Sequence, residues 1–447
     1  MKKPLFAVVC IAFFSCFQMA DATESDCRLH APAPCNPACE TCCFGKYLTE
    51  KSVFDSKLFE NKLIGKKSKS KISFYGWALT GITANNHGQA NRYGDDGVRT
   101  THDYGYNVRP DRPGITDQSG NSYVLMLEQP ADWKLNQLWL GAKKELDDRI
   151  GVGFQADFLY GTDARYARNW GDQSFDANWG SGDYFASFSQ LYATIGTKDL
   201  YVRVGKFAGS FAYEGLAAPK EFFYSHANIC YGRPFTTQGV TVEWKPSQKW
   251  TLSGGWTAGV FNSFDNPYND NAFLGKVTYH FTKDVALTYK IFYNDKGRRS
   301  DANNASIDDL NTLIFTWKIN KRWFYMGEIA YTDGKVYDIH GTKTGSDAWG
   351  VNNHLIYTVN DKLAIGLRGE FHHSRGSFFD RPVITGGQGG DLWEITLAAN
   401  YKINQKTTIR PEIRFDHADY KNNYRPFGGD ESQKDQLCGG VSFIILF

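Results

Sequence analysis

From residue 72 to the last residue the chain keeps one rhythm: segments of about 10–13 residues alternate apolar with polar, and short and long interruptions take turns between them. Ile409 to Asp416 shows the segment design. A period of two sets Ile409, Pro411, Ile413 and Phe415 on one face and Arg410, Glu412, Arg414 and Asp416 on the other. Leu363 to His372 repeats it, with Leu363, Ile365, Leu367 and Phe371 opposite Arg368, Glu370 and His372. A water-soluble sandwich alternates too, so the interruptions carry the distinction.

Seven interruptions are tight and charged: Asp147-Asp148-Arg149, Lys198-Asp199, Ser247-Gln248-Lys249, Lys283-Asp284, Lys321-Arg322, Asp361-Lys362 and Gln405-Lys406. Between them lie long polar stretches rich in Gly, Asn and Asp, at 84–133, 161–184, 207–234, 261–271, 294–308, 333–347, 373–391 and 417–435. Short turns at one end and long loops at the other are the pattern of an outer-membrane barrel. Seven hairpins, a first strand from Ile72 to Thr83 and a last from Gln436 to Phe447 make sixteen strands, with both termini on the short-turn side. Trp244, Trp250, Tyr279, Trp317, Trp323, Tyr357 and Tyr401 gather beside the short turns, at the height of an interfacial girdle. The end, Val441 to Phe447, is an apolar strand finishing in Phe, the kind of ending that barrel assembly machinery is thought to read.

Composition narrows the alternatives. Fifty basic against 48 acidic residues leave a net charge of +2, too even for a nucleic-acid surface. Sixty-nine Trp, Tyr and Phe in total exclude a disordered chain. Past the first 20 residues no apolar run is long enough for a spanning helix.

The first 22 residues read as a secretory signal: a basic start at Lys2-Lys3, an apolar run from Leu5 to Phe17, and Ala20-Asp21-Ala22 as a cleavage site. Residues 23–71 follow as a cysteine-rich, lysine-rich segment in an oxidising periplasm. Its Cys27, Cys35, Cys39, Cys42 and Cys43 suit a disulfide-stapled segment better than a zinc site, which prefers separated C-x2-C pairs. Residues 72–447 form the barrel.

Within residues 133–245 the chain resembles the OmpL-like β-barrel porins of planctomycete type. The stretches that carry the likeness are Leu135-Asn136-Gln137-Leu138-Trp139 and Asp157 to Tyr166. The longest set is Gly205-Lys206-Phe207, Tyr213-Glu214, Ala218-Pro219, Phe222 to His226, and Pro234-Phe235-Thr236 with Gly239. The resemblance implies a porin and supplies no catalytic residue and no substrate. The cysteine-rich lead is not part of the shared pattern.

No catalytic or metal motif stands out. G-x-S-x-G, H-E-x-x-H and P-loop patterns are absent. His372 and His373 fall on opposite faces of a strand and do not suit one metal ion. The paired aspartates at 95–96, 147–148 and 308–309 have no spaced calcium-loop frame. No cofactor is expected, and the chain is not expected to be an enzyme.

The expectation is an all-β, antiparallel, transmembrane barrel of about sixteen strands in the outer membrane, with a water-filled channel for small polar solutes or ions. A structural or adhesive surface protein without conductance, and less favourably an outer-membrane hydrolase, are the other readings. Polar parity assigns Asp157, Arg203, Glu243, Lys276, Lys290, Lys318, Glu328, Arg368, Glu370, Glu394, Lys402, Arg410, Glu412 and Arg414 to the channel lining. The stretch Ala208 to Arg233 is expected to fold into the lumen and narrow it, because Phe211, Tyr213, Phe222, Phe223, Tyr224 and Tyr231 are too apolar to stand in water. Its Glu214, Lys220, Glu221 and Arg233 would then face Arg368, Arg410 and Arg414 across the opening. An external loop that packs on its neighbours or on a second subunit is the alternative. Partners expected are outer-membrane lipid, small polar solutes or ions, the assembly machinery at Phe447, and further copies in a homotrimer.

Overall fold

In the computed structural model, sixteen long strands close into one antiparallel barrel. The structure describes residues 72–87, 133–168, 184–209, 211–230, 235–260, 271–294, 305–337, 343–375, 389–421 and 433–447, with 127, 175–176, 179–181, 233, 264, 425 and 427. All belong to the second of two units of the chain, Phe44–Phe447. The expected signal, the cysteine-rich segment, the pair at 95–96 and Tyr231 lie outside the described residues.

The strands are β1 (Ile72–Asn85), β2 (Lys134–Lys144), β3 (Gly151–Gly161), β4 (Tyr184–Gly196), β5 (Leu200–Ala208), β6 (Thr236–Ser247), β7 (Trp250–Val260) and β8 (Ala272–His280). They continue as β9 (Val285–Asn294), β10 (Ala305–Lys318), β11 (Trp323–Tyr337), β12 (Lys343–Thr358), β13 (Leu363–Ser374), β14 (Gly390–Lys402), β15 (Thr407–Tyr420) and β16 (Asp435–Leu446). Each pairs with its sequence neighbours, and a two-residue strand, Gly180–Ser181, extends the hairpin before β4. Closure is made by β1 and β16, from Trp77 opposite Leu446 to Asn85 opposite Cys438. Each of the sixteen long strands is thereby paired on both sides, as a hydrocarbon environment demands.

All seven short turns fall between the expected strands. Two long loops are shorter than expected. Pairing runs on to Asp333 opposite Asp347 and as far as Tyr337 opposite Lys343, and β10 begins at Ala305. Polar residues in these extensions hide them from a reading that takes polar runs as loops. The ladder itself needs only backbone groups.

Outward parity is apolar: Leu367, Ile395, Leu397, Ile413 and Phe415 are all exposed on the barrel's outside. Near the short turns, Trp250 meets Tyr279 at 4.5 Å and Trp323 meets Tyr357 at 4.6 Å. A second belt, not anticipated, lies toward the long-loop end. There Phe371 contacts Trp349 at 5.2 Å and Trp393 at 5.4 Å.

Candidate functional site

Inward parity carries the charge, and the connection between β5 and β6 meets it. Among its described residues this stretch makes only two single-turn 3-10 helices, Ala218–Lys220 and Asn228–Cys230. Its backbone N–H and C=O groups therefore have no ladder partners and must find others when buried. The barrel wall supplies them. Glu412 accepts from the N–H groups of Tyr224 (2.7 Å) and Ser225 (3.1 Å). Glu370 accepts from those of Asn228 and Ile229. Glu328 accepts from that of Tyr213 at 2.9 Å.

Arginines of the wall satisfy the carbonyls. Arg410 donates to the oxygens of Glu221 (3.0 Å) and Phe223 (3.1 Å). Arg414 donates to that of His226 at 2.7 Å and pairs with Asp416 at 2.7 Å. Arg368 lies at the centre of this set. It donates to Glu394 (3.0 Å), Glu214 (2.9 Å) and the Ser225 carbonyl (2.7 Å), with Phe223 stacked against it at 4.8 Å. From across the β1–β16 seam, Gln137 of β2 donates to the Leu216 carbonyl and Asn136 accepts from the Tyr224 hydroxyl, both at 2.8 Å.

Glycines of the wall seat the rings of the connection. A Cβ at Gly81 would stand 2.5 Å from the Tyr224 hydroxyl, and one at Gly366 would run into the Phe222 ring. Phe222, Phe223 and Tyr224 are buried as a result. The stretch thus lies inside the barrel, hydrogen-bonded to β2, β9, β10, β11, β13 and β15.

The structure differs from the expectation of charges facing each other across an opening. Glu214 touches Arg368 directly, and Glu221 folds back onto the Gly215 N–H at 2.7 Å. Arg233 reaches Thr312 (2.7 Å) and Thr332 (3.1 Å), while Lys220 is exposed. The reason is the backbone demand just described: the charged wall groups are used to hold the chain that covers them.

The fourteen lining candidates consequently divide. Asp157, Glu328, Arg368, Glu370, Glu394, Arg410 and Arg414 are buried. Asp157 is held by Tyr75, by Gln155 at 2.7 Å and by Gln190 at 2.6 Å. Arg203, Glu243, Lys276, Lys290, Lys318, Lys402 and Glu412 keep partial exposure. His354, buried on β12 with Nε2 3.3 Å from Glu214, and Asp416 belong to the buried set; neither is among the lining residues expected from the sequence, although Asp416 falls on the polar face there. Their parity marks both as inward. His372 is buried inside and His373 faces outward onto Asp391 at 2.6 Å, so the pair is split between faces. Among the described residues no group of His, Cys, Asp or Glu is arranged to hold a metal ion.

A family model described as "Putative beta-barrel porin-2, OmpL-like" matches residues 98–447. No curated protein sequence matches the chain. Solved structures share the fold. The outer membrane channel DcaP of Acinetobacter baumannii is 12% identical over 86% of this chain and 100% of its own, with a TM-score of 0.54. Outer-membrane expressed OmpT of Vibrio cholerae has the same identity and coverage and a TM-score of 0.52. An anion-selective porin from Comamonas acidovorans is 12% identical over 84% of this chain and 99% of its own, with a TM-score of 0.50.

Proposed function

Because the chain belongs to the OmpL-like β-barrel porin-2 family, we propose that it is a passive diffusion channel of the outer membrane for small polar solutes or ions. The observation that carries this reading is the closed sixteen-strand wall with charged side chains on its inner parity. Eight strands are filled by their own side chains, whereas sixteen leave room for water. The connection between β5 and β6 reduces that room, so passage is by size and polarity and needs no bound cofactor or catalytic group. Export by the N-terminal signal, assembly through the C-terminal strand and association as a homotrimer complete the reading. Purified protein in a planar bilayer tests it: discrete, ohmic current steps are expected. A barrel that inserts, shown by heat-modifiable migration on gels, yet passes no current would refute it.

A further inference from the structure

A channel of this kind still has to prefer one sign of charge, and the inner wall is lopsided in a way that decides which. One register row runs around the wall at the short-turn half: Glu243 opposite Ser253, Ser253 opposite Lys276, and Lys276 opposite Lys290. Arg203 stands one step away, opposite Thr241. Like charges placed directly opposite on neighbouring strands repel, so the Lys276–Lys290 pairing is unfavourable unless something negative lies between the two ammonium groups. Lys290 donates to the Ala212 carbonyl at 2.7 Å, which is neutral and leaves its charge in place. Glu243 is the single carboxylate of the row and faces both Lys276 and Arg203, while Lys290 is attracted also by Glu328 of β11, which Arg233 shares; the cations still outnumber the carboxylates. Arg203 is held flat against the wall by the Phe207 ring at 4.1 Å, with its Nε on Thr241 at 3.2 Å.

The acids elsewhere do not reverse this. Glu328, Glu370 and Glu394 are buried, and Glu328, Glu370 and the half-exposed Glu412 accept from backbone N–H groups of the connection. On the half-exposed inner wall, Lys318 adds one more cation nearer the short turns.

We propose that the band of Arg203, Lys276 and Lys290, with the hydroxyl of Ser253, is an anion-selecting site. It suits small solutes carrying carboxylate or phosphate. This rests on the channel reading, and one experiment separates the two. Full-length protein is placed in a planar bilayer under a potassium chloride gradient and the reversal potential is read.

Chloride is expected to cross more readily than potassium. Lys276→Ser and Arg203→Ser should each lower that ratio about fourfold, because a unit charge about 10 Å from the axis in water weighs about twofold on chloride and about twofold, in the opposite sense, on potassium. Glu243→Gln should raise it. Inorganic phosphate should reduce the chloride current of the wild type and do so less in Lys276→Ser. If a variant fails to assemble, the wild-type ratio and the phosphate block still decide. Preference for potassium, or a ratio that neither substitution moves, overturns the site while leaving the channel. No current at all overturns the channel reading, and the site with it.

Discussion

Adjacent residues on one strand answer to opposite solvents. Leu367 is 46% exposed on the outer face, whereas Arg368 beside it is fully buried within the barrel. Leu367→Arg is expected to cost about 2–4 kcal/mol, as a cation does at the middle of a bilayer. Refolding yield into lipid vesicles measures it, and wild-type yield would mean the face is misassigned. Arg368→Ala acts differently. It strands Glu214 and Glu394 without their shared cation and should weaken docking of the covering stretch by about 3–5 kcal/mol. The expected sign is protease cleavage between Phe211 and Arg233 while the barrel stays intact on gels. Gly366→Val should displace Phe222 and produce the same cleavage without touching a charge. Parity alone identifies Arg368 as inward. That it is spent on a carbonyl of residue 225 is invisible locally, because the partner is 143 positions away.

At the scale of elements, the tight turns are simple and the long connections are not. Neighbouring turns are tied together: Lys198 lies 2.6 Å from Asp148, and that hydrogen bond raises the lysine above its ordinary range. This is a solvated pair, and replacing either residue should leave assembly unchanged. The connection between β5 and β6 carries the function proposed for it through its aromatic content. Those rings need a surface to cover them, and the wall offers glycines where they land. Removing residues 212–230 is expected to raise the single-channel current, since a sixteen-strand wall is left with less in its bore. An unchanged current would place the conduction path elsewhere. Composition reveals that this stretch seeks cover. Its destination inside the barrel, rather than on a neighbouring loop or subunit, depends on where three wall arginines and three wall glutamates stand.

The whole molecule depends on one seam, β1 against β16, where the first and last described strands meet. Deleting residues 439–447 removes most of that pairing and should abolish the heat-modifiable barrel. Deleting residues 27–60 should not, because the seam begins beyond them; loss of assembly would make the cysteine-rich segment part of the fold. Strand number, turn placement and the sides that face lipid or lumen were all readable from the chain. They follow from a period of two and from turn chemistry, which act between near neighbours. Strand ends at β10, β11 and β12 were less so, since hydrogen bonding carries on through polar side chains. The state of each inward charge was not readable. Arg410 and Lys276 share the same parity and the same local pattern, yet one is buried under the connection and the other remains half-exposed. That difference arises only when a segment from between β5 and β6 crosses the lumen and satisfies its backbone on distant strands.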